Sequence, residues 1–220
     1  MADVDTYLEV SEKRVFACSY TWPGWVRSGK TEDGALEALV AYAPRYAAVP
    51  AAAGIDFDLR LEVNPRVVER LPGDATTAYG APSQIPSADL EHPSEAEQDR
   101  LLSLLESCWQ VFDEVVAVSP EGLRKGPRGG GRDRTKIVEH VLAAEAGYSR
   151  LIGLKLRDPD LSDTEAIAAH RRSLLEGLRQ ADVSRRRDQG RRRWPMRYAT
   201  RRIAWHVLDH AWEIEDRRNP

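Results

Sequence analysis

Two histidines near the end of the chain, His206 and His210, are four residues apart in the segment RRIAWHVLDHAWEIEDR. At this spacing two side chains lie one turn apart on the same face of a helix. Two imidazoles on one helical face can bind one metal ion, and zinc needs further ligands at about 2.0–2.2 Å. His140 is the candidate third ligand, because apolar residues recur around it at helical spacing. The three histidines predict a metal centre; the alternative is that they are hydrogen-bonded residues of a helical core.

Three carboxylates near these histidines are candidates for a supporting role. Glu213 follows His210 by three residues on the same predicted helical face, which makes it a candidate fourth ligand or general base. Asp209 and Glu145 are candidates for hydrogen bonds that orient an imidazole. Glu213 and Glu145 are therefore the candidate catalytic residues, and a solvated or ion-paired carboxylate is the alternative for each of them.

The other histidines and the two cysteines are not expected to take part in chemistry. His92 lies in a proline-rich segment and His170 in an arginine-rich one, so both are predicted to be surface residues. Cys18 and Cys108 are far apart and form no CxxC motif, so no disulfide framework is expected. Cys108 lies in the apolar segment LLSLLESCWQVF, where a buried thiol is usually inert.

Four amphipathic helices are predicted in the second half of the chain, and they must position the histidines. Ser94 is the expected N-cap of the first helix, and Asp133 can cap the second. Facing helices of a four-helix bundle can direct their ligands to one interior point. The predicted helices cover residues 95–118, 136–154, 163–180 and 193–217.

The first half of the chain mixes strand and helix patterns. A helix is predicted from Glu32 to Tyr42, with Thr31 as its N-cap. The expected fold class is α+β, with a small α/β unit at residues 1–71, a linker rich in proline and glycine at residues 72–94, and a four-helix bundle at residues 95–220. Strands are predicted at residues 14–21, 25–28, 57–63 and 67–71.

The helical half resembles the DinB-like superfamily of bacterial four-helix metal-binding proteins. The resemblance rests on KIVEHVLAAEAGY at residues 136–148 and on the segment around His206 and His210, and it covers about residues 95–218. It implies a DinB-like bundle in which these two histidines and His140 bind a divalent metal. Zinc is the metal expected first, and nickel is the alternative.

The resemblance implies a metal-dependent enzyme. Some DinB-like proteins are S-transferases that use a low-molecular-weight thiol such as mycothiol or bacillithiol, and others are isomerases. Three protein ligands would leave a coordination position for water or substrate, as in catalytic metal sites. The expected function is thiol S-transfer on a small-molecule substrate. The alternative is a non-catalytic binding or regulatory protein, antitoxin-like or metal-binding, in which the metal is structural or absent.

The segment FACSYTWPGWVRSGKTEDGALEALVAYAP in the first half resembles a small HicB-like unit. The resemblance rests on the turn at Pro23 and Gly24, on the step from Gly29 to Thr31, and on the Ala/Leu-rich helix that follows. HicB-like units often act as antitoxin partners of an RNA-cleaving toxin. Because no DNA-binding tail is evident here, we expect the unit to be a structural module or a lid over the substrate.

Composition and charge bear on the expected partners. The 220 residues carry a net charge of −3, with 42% hydrophobic and 30% charged residues, as in a globular protein. No apolar run reaches the roughly 18–20 residues of a membrane span, and the acidic opening does not resemble a secretory signal, so a cytoplasmic location without membrane contact is expected. Homodimer formation is left open.

Two predicted loops have compositions that could indicate binding of an anion or a nucleic acid. Residues 185–193 contain six arginines, and residues 126–131 form a glycine-rich segment before a predicted helix. An anion site or a nucleic-acid surface is the alternative reading, but both are predicted to be solvated loops. The negative net charge and the absence of interleaved aromatic residues predict no specific nucleic-acid binding.

Overall fold

The computed structural model describes residues 2–58, 63–126, 130–181, 187–188 and 191–218. Its architecture is α+β, as predicted, with a four-stranded sheet packed against helices. The elements in chain order are β1 (Ala2–Val10), β2 (Val15–Ser19), β3 (Val26–Gly29), α1 (Glu32–Ala41), α2 (Ala43–Tyr46), α3 (Ala48–Ala52), β4 (Val63–Pro72), α4 (Ala75–Tyr79), a 3-10 helix (Ser87–Leu90), α5 (Glu95–Val118), α6 (Arg134–Ser149), α7 (Thr164–Arg179), β5 (Arg187–Asp188), β6 (Arg191–Arg192) and α8 (Met196–Arg217).

The strand order of the sheet is β3-β2-β1-β4. Strands β1, β2 and β3 pair in antiparallel fashion, whereas β4 lies parallel to β1. A parallel partner needs a crossover connection, and α1 to α3 lie in that connection. Helix α1 begins at Glu32, as predicted, and its N-cap is Thr31, whose hydroxyl accepts a hydrogen bond from the backbone N–H of Gly34 at 3.1 Å.

Strand β2 is buried along its whole length. Because side chains alternate across a strand, its two faces enter two different apolar clusters. Val15 and Ala17 belong to the main cluster, which contains residues of both the sheet and the helices. Phe16 and Cys18 pack in a smaller cluster with Trp205 of α8, and the Phe16 and Trp205 rings lie 6.1 Å apart. The sheet and α8 therefore share apolar contacts.

The four long helices follow the predicted order, with small differences at their ends. Helix α5 has its predicted bounds, because the hydroxyl of Ser94 accepts a hydrogen bond from the N–H of Glu97. Helix α6 ends at Ser149 rather than near residue 154. Asp133 is the N-cap residue of α6, as predicted, but its carboxylate makes no cap hydrogen bond and contacts Lys125 instead.

Strand β1 was not among the predicted strands. Its acidic residues hide the pattern, although Val4 and Leu8 are buried at alternating positions. Asp5 lies 2.6 Å from a guanidinium nitrogen of Arg66 on the neighbouring strand β4. The acidic side chain of Asp5 is therefore paired with a basic residue that is distant in sequence.

The predicted strand at residues 57–63 is wrong at its start, and only its last residue, Val63, lies in a strand of the described chain. Phe57 lies outside any strand, β4 begins at Val63, and residues 59–62 lie outside the described part of the chain. The ring of Phe57 packs against Trp22 and Trp25 with centroid distances of 4.9 and 5.4 Å. This aromatic cluster explains the apolar residue at that position.

Residues 72–94, predicted to be a linker, are anchored on the sheet. They contain α4 and the 3-10 helix, and within them Thr77 and Asp89 are fully buried. The buried carboxylate of Glu9 in β1 accepts a hydrogen bond from the backbone N–H of Ser83 at 2.9 Å. The segment therefore closes over one end of the sheet.

Four of the nine arginine-rich residues 185–193, namely 185, 186, 189 and 190, lie outside the described part of the chain. The short strands β5 and β6 pair in antiparallel fashion within this segment. Residues 127–129 of the glycine-rich segment also lie outside the described part.

Among the helices that the structure describes, none combines the length and apolar character needed to cross a bilayer.

Candidate metal centre

The structure brings the three predicted ligands together between α6 and α8. The ligand nitrogens of His140, His206 and His210 all lie within 4.8 Å of one another. Nε2 of His206 lies 3.2 Å from Nε2 of His140. Two nitrogens at zinc-binding distance from a tetrahedral ion are about 3.3 Å apart. The cluster can therefore hold a metal ion.

The sheet determines which way the histidines of α8 face. Trp205 precedes His206 and packs in the apolar cluster of the sheet. Trp212 lies against Tyr42 at the end of α1, with ring centroids 5.1 Å apart. Successive helical residues point about 100° apart. Packing of the two tryptophans therefore leaves His206 and His210 directed toward α6.

Glu213 lies beside His210, where it orients the ring. Nδ1 of His210 donates a hydrogen bond to Oε2 of Glu213 at 2.7 Å. Oε1 of Glu213 accepts a hydrogen bond from Arg217 at 2.5 Å. Burial opposes ionisation, but these two partners lower the pKa of Glu213 below its usual value. Nε2 is thus the nitrogen of His210 left to bind an ion, and Glu213 supports a ligand.

Two of the imidazoles are held in the neutral form that binds metals. Burial lowers the pKa of His140 to about 4, with further contributions from Arg132 and His210. Burial also lowers the pKa of His206 well below its usual value. Because metal binding requires neutral imidazole, neither ring needs to lose a proton near pH 7.

The buried ring of His206 lacks a full set of partners. Its Nδ1 is buried and has no hydrogen-bond partner within the described residues. Its Nε2 has the 3.2 Å contact with Nε2 of His140. A cation bound to both Nε2 atoms would replace their mutual contact and leave the proton of each neutral ring on Nδ1, so the donor set fits the divalent metal that the sequence predicts.

Two of the predicted supporting carboxylates lie away from this cluster. Glu145 accepts a hydrogen bond from the indole N–H of Trp109 at 2.7 Å and lies near His170. Asp209 pairs with Arg27 of β3 at 3.2 Å. Their expected hydrogen bonds to the metal-binding imidazoles are therefore absent from the described residues, because both carboxylates face other elements.

The surface position predicted for His170 is wrong. Only 6% of this residue is exposed, and it precedes the fully buried Leu174 and Leu178 at four-residue intervals. This spacing places it on the buried stripe of α7, a signal that the neighbouring arginines obscured. His92 is exposed, as predicted.

Aromatic and basic side chains surround the centre, and one of them, Arg202, is not among the residues predicted from the sequence. Arg202 lies one turn before His206, and its guanidinium is 5.2 Å from the ring centre of Tyr148 and 4.4 Å from that of Trp205. The ring of Tyr148 lies 5.8 Å from that of His206. The four-residue spacing of Arg202 and His206 is the signal that could have found it.

No family model, curated protein or solved structure matches this chain. The geometry of the three histidines is therefore the main structural guide to its function.

Proposed function

We propose that this chain is a metal-dependent enzyme of the DinB-like type, a thiol S-transferase with His140, His206 and His210 as ligands of one divalent ion. The observation that carries the proposal is the meeting of three imidazoles from two helices, with one Nε2–Nε2 distance of 3.2 Å. Zinc is the metal expected first, because it accepts three protein ligands and a substrate. Nickel is the alternative.

The proposal includes the rest of the chain. Residues 95–218 correspond to a DinB-like bundle and residues 1–71 to a HicB-like unit with a structural or lid role. A small molecule, a low-molecular-weight thiol, is the proposed partner. Packing of Phe16 against Trp205 supports a structural role for the first unit, because it helps to orient α8.

The residues of the site have separate roles in this proposal. His140 and His206 present neutral imidazoles, because burial lowers the pKa of each. Glu213 accepts the Nδ1 proton of His210 and so directs Nε2 of that ring to the centre. Tyr148 covers one side of His206 and limits the access of water. A bound divalent ion would supply the positive charge that favours the thiolate form of a thiol substrate.

Metal analysis tests the site directly. We expect one equivalent of zinc per chain after incubation with zinc and dialysis. His206→Ala should lose this metal, whereas the exposed His92→Ala should keep it. Circular dichroism should show both variants folded, because the apolar contacts of α8 do not depend on the imidazole. A wild-type chain that keeps no divalent metal would contradict the proposal.

An activity assay distinguishes the proposed enzyme from the alternative, a binding or regulatory protein. The zinc-loaded protein should accelerate the conjugation of a small thiol to an electrophile such as 1-chloro-2,4-dinitrobenzene, and His210→Ala should not. A chain that binds zinc, transfers no thiol and unfolds when the zinc is chelated would instead support a binding or regulatory protein with a structural metal.

A further inference from the structure

Arg202 is unlike three other arginines of α8, because no carboxylate of the described residues pairs with it. Its Nη1 is buried and has no hydrogen-bond partner in the described part of the chain. The paired arginines of the same helix are Arg197 with Glu97, Arg201 with Asp89 and Arg217 with Glu213.

The position of Arg202 places its charge beside the metal centre, where the guanidinium hydrogen-bonds to the hydroxyl of Tyr148 and no described carboxylate pairs with it. Arg202 and His206 are four residues apart on α8 and therefore share one helical face. The ring of Tyr148 contacts both, at 5.2 Å from the guanidinium and 5.8 Å from the imidazole ring. Arg132, from the segment before α6, adds a second positive charge that acts on His140 and His206.

The charges around the centre are unbalanced. The three imidazole ligands contribute no negative charge, and the carboxylate of Glu213 is already paired with Arg217. A divalent ion would place two more positive charges beside Arg202, in surroundings made less polar by Tyr148 and Trp205. The attraction between these positive charges and a negative group is stronger where water is partly excluded. The arrangement therefore favours a ligand with a negative group besides the atom that meets the metal.

We propose that Arg202 binds a carboxylate of the substrate, so that the site takes small organic acids carrying a thiol. The thiol sulfur would bind the ion held by the three histidines, and the carboxylate would accept hydrogen bonds from the guanidinium of Arg202. Arginine suits this role because its planar group can pair with both oxygens of a carboxylate. This assignment rests on the proposed function, because it requires the metal at the three histidines.

The test compares 3-mercaptopropionate with its methyl ester, in which the carboxylate charge is removed. The protein is loaded with cobalt(II), and binding is followed by the sulfur-to-cobalt absorption band. We expect the acid to bind about 10-fold more tightly than the ester, as for one charge-assisted hydrogen bond. Arg202→Gln should abolish this preference. Arg197→Gln, on the same helix but paired with Glu97, should keep it.

The outcomes distinguish this assignment from the metal proposal. Equal affinity for acid and ester in the wild type, or an undiminished preference in Arg202→Gln, overturns the role of Arg202. The cobalt spectrum recorded without thiol reports the metal site separately, and its absence overturns both proposals. If Arg202→Gln does not fold, Arg202→Met replaces it, because its unbranched apolar side chain can still cover Tyr148 and Trp205.

Discussion

Oε2 of Glu145 in α6 lies 3.9 Å from Nε2 of His170 in α7, and neither atom has a hydrogen-bond partner among the described residues. Glu145 is fully buried. Burial raises its pKa to about 7, although Arg171 and the indole of Trp109 oppose this shift. Burial also lowers the pKa of His170. Both groups therefore favour their neutral forms in the folded protein.

We expect Glu145 to make the protein less stable as pH rises. Its pKa of about 7 in the folded state exceeds the usual value of 4.5, so the folded state binds more protons between these values. The stabilising contribution is complete below about pH 4.5 and is lost as pH rises through about 7, a change of about 3 kcal/mol. Glu145→Gln, which mimics the neutral acid, should flatten this dependence.

Urea unfolding of the metal-free protein between pH 5 and pH 8 measures this difference. Glu139→Gln is the matched control, because Glu139 lies on the same helix at the surface and pairs with Lys136. It should keep the pH dependence of the wild type. Parallel curves for Glu145→Gln and the wild type would show that the carboxyl of Glu145 is ionised in the folded protein at neutral pH.

Glu213 should contribute to metal affinity without binding the metal. Glu213→Ala removes the acceptor for Nδ1 of His210, so we expect zinc to bind about 10–100-fold more weakly. Competition with a chromophoric chelator measures the affinity. Glu215→Gln is the control, because Glu215 lies on the same helix but pairs with Arg45. Wild-type affinity in Glu213→Ala would mean that the ring of His210 is held by its packing alone.

Features that depend on neighbours in sequence were predicted well. The bounds of α5 follow from the cap at Ser94 and from apolar residues at helical spacing. His206 and His210 lie on the same face of α8, which also follows from their four-residue spacing within one helix. His140 lies on another helix, and its place in the cluster was predicted because its own helix has a recognisable apolar stripe.

Features that depend on distant partners could not be predicted in the same way. The spacing of Asp209 on α8 suggests a hydrogen bond to a metal-binding histidine. In the structure it pairs instead with Arg27, which is 182 residues away in sequence. That no described carboxylate pairs with Arg202 depends on all the elements around it. The strand β1 is recognisable only beside β4, where Arg66 matches the charge of Asp5.

Both cysteines should be unreactive in the folded protein. Cys18 and Cys108 are fully buried and free. Burial raises the pKa of both thiols, so little reactive thiolate is present at neutral pH. Ellman's reagent should detect no thiol in the native protein and two thiols per chain in guanidinium chloride. Rapid reaction of one thiol in the native state would contradict this prediction and make that cysteine a candidate nucleophile.

Gly24 should be the more sensitive of two glycines with positive φ, because it touches α8. Its φ is +86°, and a Cβ there would lie 2.6 Å from Cδ1 of Leu208 and 3.1 Å from the carbonyl oxygen of Ala204. Gly54 has a φ of +65° and no atom within 4 Å of such a Cβ. Gly54→Ala should therefore cost only the backbone strain, about 1 kcal/mol. Gly24→Ala should cost about 2–4 kcal/mol, because the clash with α8 is added.

Urea unfolding of the two metal-free variants at one pH measures this difference. Ala204 and Leu208 flank His206 on α8, so the same displacement should also weaken zinc binding in Gly24→Ala but not in Gly54→Ala. Equal losses of stability in the two variants would mean that the turn between β2 and β3 does not press on α8. In that case the sheet would not control the orientation of the metal-binding helix at this point.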